Sequence, residues 1–174
     1  DRVGVGGGML VAVGAFSVSE NGTLAHGSGA LTAIQLEWTD RAGKPLGSFG
    51  PPGAYNRFRL APDEKRISFD TANQDVWVLD GIRGVTSRLT SNPAFDNVPV
   101  WSPDGLRVLF SSNRNGGYDV YTKSANGTGQ EEILIKMGTG TGAAVDWSKD
   151  GRFILYQMPA SKTGQDLWIT PPSP

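Results

Sequence analysis

Four short turn segments recur along this chain, and their spacing constrains its fold more than any other feature. They are Ser19-Glu20-Asn21-Gly22, Ala61-Pro62-Asp63-Glu64, Ser102-Pro103-Asp104-Gly105 and Ser148-Lys149-Asp150-Gly151, with first residues 42, 41 and 46 positions apart. An apolar or aromatic run precedes each: Phe16-Ser17-Val18, Phe58-Arg59-Leu60, Pro99-Val100-Trp101 and Val145-Asp146-Trp147. A second run follows each: Thr23-Leu24-Ala25, Arg66-Ile67-Ser68-Phe69, Arg107-Val108-Leu109-Phe110 and Arg152-Phe153-Ile154-Leu155-Tyr156. Strand, tight turn and strand make a hairpin. In such a turn Pro presets φ at the first central position, and Asp or Asn accepts nearby backbone N–H groups. Gly then takes the left-handed conformation from which the second strand starts. Glu64 occupies the Gly place of the second tetrad, so keeping the geometry there costs about 1–2 kcal/mol.

A third run completes the pattern in each unit: Gln35-Leu36-Glu37-Trp38, Asp75-Val76-Trp77-Val78, Asp119-Val120-Tyr121 and Asp166-Leu167-Trp168-Ile169. Three of the four carry Asp-x-aromatic. A fourth run lies at Leu46 to Phe49, Val85 to Leu89 and Glu132 to Ile135, behind turns rich in Gly, Asn or Lys. Each unit therefore reads as a four-stranded antiparallel meander of about 40–45 residues, the signature of a β-propeller blade. No stretch keeps a helical apolar period for three turns without Gly or Pro. The expected fold is all-β, one propeller segment spanning 1–174. Its blades lie near 15–50, 56–90, 98–136 and 144–170, and residues 1–14 form the outer strand of a preceding or closing blade. The last unit reaches Pro171-Pro172-Ser173-Pro174 without a fourth strand. A partial ring, a small closed ring and half of a larger ring completed by a second copy all fit this pattern, because an open blade face must be covered.

Ser102-Pro103-Asp104-Gly105 with Arg107 to Arg114 and Tyr118-Asp119-Val120-Tyr121 resembles TolB-type propeller repeats, and the likeness runs along nearly the whole chain. Phe16 to Ala25 and Leu36 to Gly47 are similar to the propeller regions that follow the kinase domain in some bacterial serine/threonine protein kinases. The resemblance implies a sensor or protein-interaction module at an extracytoplasmic site in a bacterium. The chain carries fewer repeats than the family's usual ring, which leaves closure and any central-channel site open.

Composition agrees with short strands and tight turns: 24 Gly and 11 Pro among 174 residues. Charge is balanced, 16 Lys plus Arg against 17 Asp plus Glu, with no basic stripe, so no nucleic-acid partner is expected. The absence of cysteine removes disulfides and thiolate metal sites. The most apolar stretch, Met9 to Phe16, is too short to span a bilayer and lacks the flanks of a signal peptide. The chain starts at Asp1 without an initiator Met, which suggests a piece of something longer.

Motifs for chemistry do not assemble. Kinase signatures are missing from the chain. Gly4 to Gly8 breaks the dinucleotide fingerprint at Met9, and Gly138-Thr139-Gly140-Thr141-Gly142 has no following Lys-Ser/Thr. His26 is the one histidine, and Gly27-Ser28-Gly29 is no nucleophile elbow. Asn113 to Asp119 has the outline of a calcium loop but a single carboxylate, too few for calcium. No catalytic, cofactor or metal site is expected.

The pairs Asp75/Trp77, Asp119/Tyr121 and Asp166/Trp168 could bind a sugar through carboxylates and rings. Their recurrence at one blade position favours a structural task instead: Asp accepts backbone N–H groups and the ring fills the wedge between blades. The same task is assigned to Ser19, Asn21, Gly22, Pro62, Asp63, Ser102, Pro103, Asp104, Gly105, Ser148, Asp150 and Gly151 in the turns. Trp101 and Trp147 read as core. The resulting expectation is a non-catalytic module that binds a protein, peptide or small ligand. Its contacts would lie on the loops Ser91 to Asn97, Asn113 to Gly117 and Gly138 to Ala144. The alternative is a propeller gate or fragment of a hydrolase or peptidase whose catalytic domain lies elsewhere.

Overall fold

The computed structural model of the chain describes residues 16–18, 24–30, 33–138, 140–160 and 162–172, and among these all regular structure is β-strand. The turn tetrads set the hairpins. In each one that lies within the described residues, the fourth N–H returns to the first carbonyl: Glu64 to Ala61 at 2.9 Å, Gly105 to Ser102 at 2.9 Å and Gly151 to Ser148 at 2.8 Å. The third residue's carboxylate then accepts the N–H two positions on, Lys65, Leu106 and Arg152 respectively. The fourth residue has positive φ in all three, 57° at Glu64, 67° at Gly105 and 75° at Gly151. Ser19, Asn21 and Gly22 lie outside the described residues, as does the expected outer strand at 1–14.

Four antiparallel meanders follow. Blade 1 comprises β1 (Phe16–Val18), β2 (Leu24–Ala30), β3 (Ala33–Thr39) and β4 (Pro45–Gly53). Blade 2 comprises β5 (Phe58–Leu60), β6 (Arg66–Asp70), β7 (Val76–Asp80) and β8 (Val85–Arg88). Blade 3 comprises β9 (Asp96–Trp101), β10 (Arg107–Ser112), β11 (Asp119–Ser124) and β12 (Glu132–Ile135). Blade 4 has three strands, β13 (Ala143–Trp147), β14 (Ile154–Ala160) and β15 (Gly164–Thr170). Several strands outrun their sequence signal. β4 continues through Pro51 and Pro52 to Gly53, which pairs with Ile34. Proline is tolerated there because β4 is an edge strand and needs no N–H on its outer side.

Alternation along each strand sends successive side chains to opposite neighbours, and the core sits in the wedges between blades. Leu36 and Phe49 of blade 1 pack with Phe58, Ile67, Phe69 and Leu79 of blade 2. Val76 and Val78, on the other side of β7, join Trp101, Val108, Phe110 and Tyr121 of blade 3. Val100, Leu109 and Val120 of blade 3 meet Ala144, Trp147 and Ile154 of blade 4. Polar latches reinforce these joints. Asp70, buried at the end of β6, accepts the Val98 N–H of blade 3 at 2.9 Å and the Arg57 N–H of its own blade at 3.0 Å. Val98 itself sits at φ 52°, an uncommon place for a β-branched residue, beside an irregularity in the β9–β10 register. Lys123 of β11 donates to the Leu89 carbonyl of blade 2 at 2.8 Å.

Candidate functional site

The first strands of the blades lie beside one another, β1 against β5, β5 against β9 and β9 against β13, and so line the inner side of the arc. At the end where they run into the turn tetrads they enclose a cavity of about 280 Å³. Its wall draws on all four blades: Val18 from β1, Arg59 and Leu60 from β5, Val100 and Trp101 from β9, and Asp146 and Trp147 from β13. Three tetrad residues, Pro62, Pro103 and Lys149, form the rim.

Each indole is held in place from below. Trp101 Nε1 donates to the Arg59 carbonyl at 3.0 Å, across the blade joint. Trp147 Nε1 donates to the Gly151 carbonyl of its own turn at 3.2 Å. The guanidinium carbons of Arg66 and Arg107 each stand 4.9 Å from the ring centroid of the tryptophan one blade on, Trp101 and Trp147 respectively. Both indoles are therefore buried and fixed, and their edges present a rigid apolar floor. Arg59 is half-buried and spends one nitrogen on the Phe58 carbonyl at 3.1 Å. Asp146 is exposed, and one of its oxygens accepts the Trp147 N–H at 2.9 Å. The cavity thus offers rings and prolines for packing, with positive and negative groups at its border.

The tetrad carboxylates, which lie outside the cavity lining, are held below their ordinary pKa. Burial pushes Asp63 up, but hydrogen bonds from the Lys65 N–H and the Arg66 side chain outweigh it and hold the carboxyl below its ordinary range. The Ser102 hydroxyl and the Leu106 N–H lower Asp104. Asp150 falls to about 2 through the Ser148 hydroxyl, the Arg152 N–H and the Arg152 side chain. These groups are engaged in closing turns.

The Asp-x-aromatic positions do not share one role. Asp119 is buried, with one oxygen on the Met137 N–H at 2.8 Å and the other on the Asn115 amide at 3.2 Å. Asp75 pairs instead with Arg88 at 2.8 Å, and Asp166 accepts the Thr163 hydroxyl. Trp77 packs in the wedge between blades 1 and 2, and Tyr121 stacks on Phe110 in the next wedge. Trp168 is half-exposed. In the loop at Asn113 to Asp119, Asn113 accepts the Phe95 N–H and Asn115 donates to the Tyr121 hydroxyl at 2.8 Å, so its polar groups serve the fold. The backbone of His26 lies in β2 opposite Glu37.

The three loops expected to carry contacts lie together at the other end of the strands. Phe95 and Asn113 are joined backbone to side chain, and the Tyr118 N–H donates to the Gly140 carbonyl at 3.1 Å. Asp96, Asn97, Ala143 and Ala144 belong to strands β9 and β13 rather than to loops, and Thr139 lies outside the described residues. Sequence reasoning passed over the cavity residues Val18, Arg59, Asp146 and Lys149. Their one signal is position: each lies in a turn tetrad or within two residues of one.

Comparison with known proteins supports the architecture. The chain is 34% identical over 117 residues to Tricorn protease homolog 1 of Streptomyces coelicolor, an alignment covering 66% of this chain and 10% of that protein. TolB from Acinetobacter baumannii superposes with a TM-score of 0.72 at 21% identity, over 90% of this chain and 40% of that one. A prolyl endopeptidase structure superposes with a TM-score of 0.65 at 14% identity, over 91% of this chain and 28% of that one. The chain therefore spans less than half the length of these relatives. The TolB beta propeller domain family matches residues 46–167, well over half of the sequence. This chain belongs to the TolB beta propeller domain family.

Proposed function

We propose that the chain is a non-catalytic binding module that holds a protein or peptide segment in the cavity at the tetrad end of its inner strands. One observation carries this reading: a concave site assembled from all four blades, floored by two fixed indoles and bordered by Arg59, Lys149 and Asp146. Rigid aromatic walls give binding area at low entropic cost, and the charged rim supplies orientation. The extracytoplasmic location implied by the sequence resemblance goes with this reading and is checked by cell fractionation.

Selection of a random peptide library on the purified chain tests it. Enriched peptides should lose at least tenfold in affinity for Arg59→Ala and Lys149→Glu and bind Phe95→Ser, at the opposite end, unchanged. Peptides indifferent to the first two variants and sensitive to the third would move the site to the loops.

The similarity to Tricorn protease homolog 1 favours a second reading, in which the module is the propeller of a peptidase and feeds segments to a catalytic domain. The selected peptides would then be hydrolysed by a polypeptide that joins this chain to such a domain, and not by this chain alone.

A further inference from the structure

The inner strands bring different side chains to one common position. Two residues before the tetrads stand Ser17, Arg59, Val100 and Asp146. Strand β9 lies between β5 and β13, so Val100 has a cation on the blade-2 side and an anion on the blade-4 side. Arg59, Val100 and Asp146 all line the cavity of about 280 Å³ at the tetrad end.

Among the described residues, neither charge has an ionic partner. Arg57, Arg66, Arg88 and Arg114 each meet a carboxylate at 2.7–3.1 Å. Arg59 is half-buried and donates only to the neutral carbonyl of Phe58. Asp146 accepts the Trp147 N–H on Oδ1 and meets no cation. An open cavity of about 470 Å³ that Asp146 also borders is lined otherwise by Ser148, Phe153, Leu155 and Ile169, none of them charged. Arg59 and Asp146 do not pair with each other, because the cavity separates them. Both are held in place: the Trp101 indole fixes the Arg59 carbonyl, and the Trp147 N–H fixes the Asp146 carboxylate. A ligand therefore meets two opposite charges already positioned, with little ordering left to pay. A partly desolvated guanidinium also gains more from a carboxylate than an exposed one does.

We infer that the cavity takes a segment carrying both charges, its carboxylate on Arg59, its ammonium or guanidinium on Asp146, and an apolar group between them against Trp101 and Trp147. This rests on the reading of the cavity as a peptide site and adds the order of charges to it. The order is fixed, since the reversed segment would set like charges together at both ends.

Peptides enriched on the purified chain from a random library test this by charge exchange. They should carry an acidic and a basic residue at a constant separation. Changing the peptide's acidic residue to its amide should weaken binding to the parent by about tenfold, and binding to Arg59→Gln by less than about twofold. Neutralising the basic residue should be felt by the parent and by Arg59→Gln but not by Asp146→Asn, which keeps an oxygen for the Trp147 N–H. A measurement on the parent alone stands even if a variant folds poorly: a peptide with its acidic and basic residues exchanged should bind about tenfold more weakly. Acetylated and amidated peptides separate the sources of charge. Retained affinity assigns the charges to side chains, lost affinity assigns them to the peptide termini, and either result upholds the inference. Peptides that lose affinity for Lys149→Glu, yet tolerate removal or exchange of their charges, would overturn the charge order and leave the cavity site standing. Peptides indifferent to Lys149→Glu, Arg59→Gln and Asp146→Asn would overturn both.

Discussion

Arg66 and Trp101 belong to successive blades, and the arginine grips the tryptophan's blade twice: its guanidinium carbon stands 4.9 Å from the indole centroid, and Nη2 donates to the Gly105 carbonyl at 2.9 Å. A third bond, Nε to Asp63 at 2.7 Å, ties the same side chain to its own turn. The tetrad of one blade is thereby connected to the tetrad of the next through a single residue. Arg107 repeats the ring contact with Trp147.

Arg66→Ala should therefore cost more than a surface ion pair does. Loss of the ring contact and of a charge-assisted bond to a carbonyl sums to about 2–4 kcal/mol, read as a lower urea midpoint at unchanged slope. Arg66→Lys keeps the charge but not the planar fork and should recover part of the loss. A double-mutant cycle of Arg66→Ala with Trp101→Phe should return a coupling of about 0.5–1 kcal/mol. Additivity within error would mean that the ring contact contributes nothing and that the Gly105 bond carries the effect.

Asp70 offers a sharper case, because it is buried and its partners are backbone groups. Its two oxygens hold the N–H groups of Arg57 and Val98, and one of them also meets the Arg57 guanidinium at 3.0 Å. Asp70→Ala leaves two partly buried donors unpaired and releases Val98 from its positive φ. The expected cost is about 3 kcal/mol. The mirror-side variant Arg57→Ala removes only a half-exposed cation and should cost under about 1 kcal/mol. Similar losses for both would show that the ion pair, not the backbone latch, is what Asp70 supplies.

These two residues also mark where sequence reading succeeds and where it stops. The tetrads announce the hairpins because a tight turn needs particular residues at particular places, and that chemistry is local. The apolar and aromatic runs that became β6, β7, β10 and β11 are equally local, so the blades could be read from the chain. The latches could not. Asp70 looks like the polar end of a strand, and its main partner Val98 is 28 positions away. The cavity is non-local in the same way: Val18, Arg59, Trp101 and Asp146 are brought together only when four inner strands lie side by side. The Asp-x-aromatic runs have the same limit: the motif is local but does not carry its partners, and Asp75, Asp119 and Asp166 meet an arginine, a backbone amide and a hydroxyl respectively.

Glu64 is a place where a local rule is broken in the sequence and the geometry is kept. It has φ 57° where Gly105 and Gly151 have 67° and 75°. Glu64→Gly removes left-handed strain of about 1–2 kcal/mol and adds unfolded-state freedom of about 0.5–1 kcal/mol. The backbone terms alone give a gain of about 0.5–1 kcal/mol, and the interaction that the Glu64 side chain makes counts against it. Glu64→Ala keeps the strain and removes the side chain, so it isolates whatever the carboxylate contributes. A loss of stability in the glycine variant would mean that this contribution exceeds the relief.

The tetrad carboxylates make stability depend on acid in a defined direction. Asp63, Asp104 and Asp150 are all held below the ordinary value of 3.8, Asp150 at about 2. A carboxyl whose pKa is lower in the folded state binds protons less readily there than in the unfolded chain. Its stabilisation is complete above 3.8 and is lost as pH falls through the folded value. Urea midpoints should accordingly be insensitive to these groups between pH 5 and 7 and decline from about pH 4 toward pH 2. Asp104→Asn discriminates this from general acid unfolding. The variant keeps a carbonyl that can accept from Ser102 and Leu106 but carries no charge, so it should be less stable than the parent at pH 6. As pH falls through the folded-state value, which lies below 3.8, the parent's carboxylate is neutralised too, and the two midpoints should converge. A gap that stays constant from pH 6 to pH 2.5 would show that Asp104 acts through the shape of the turn, and that the ionised state of the tetrad adds nothing to the hairpin.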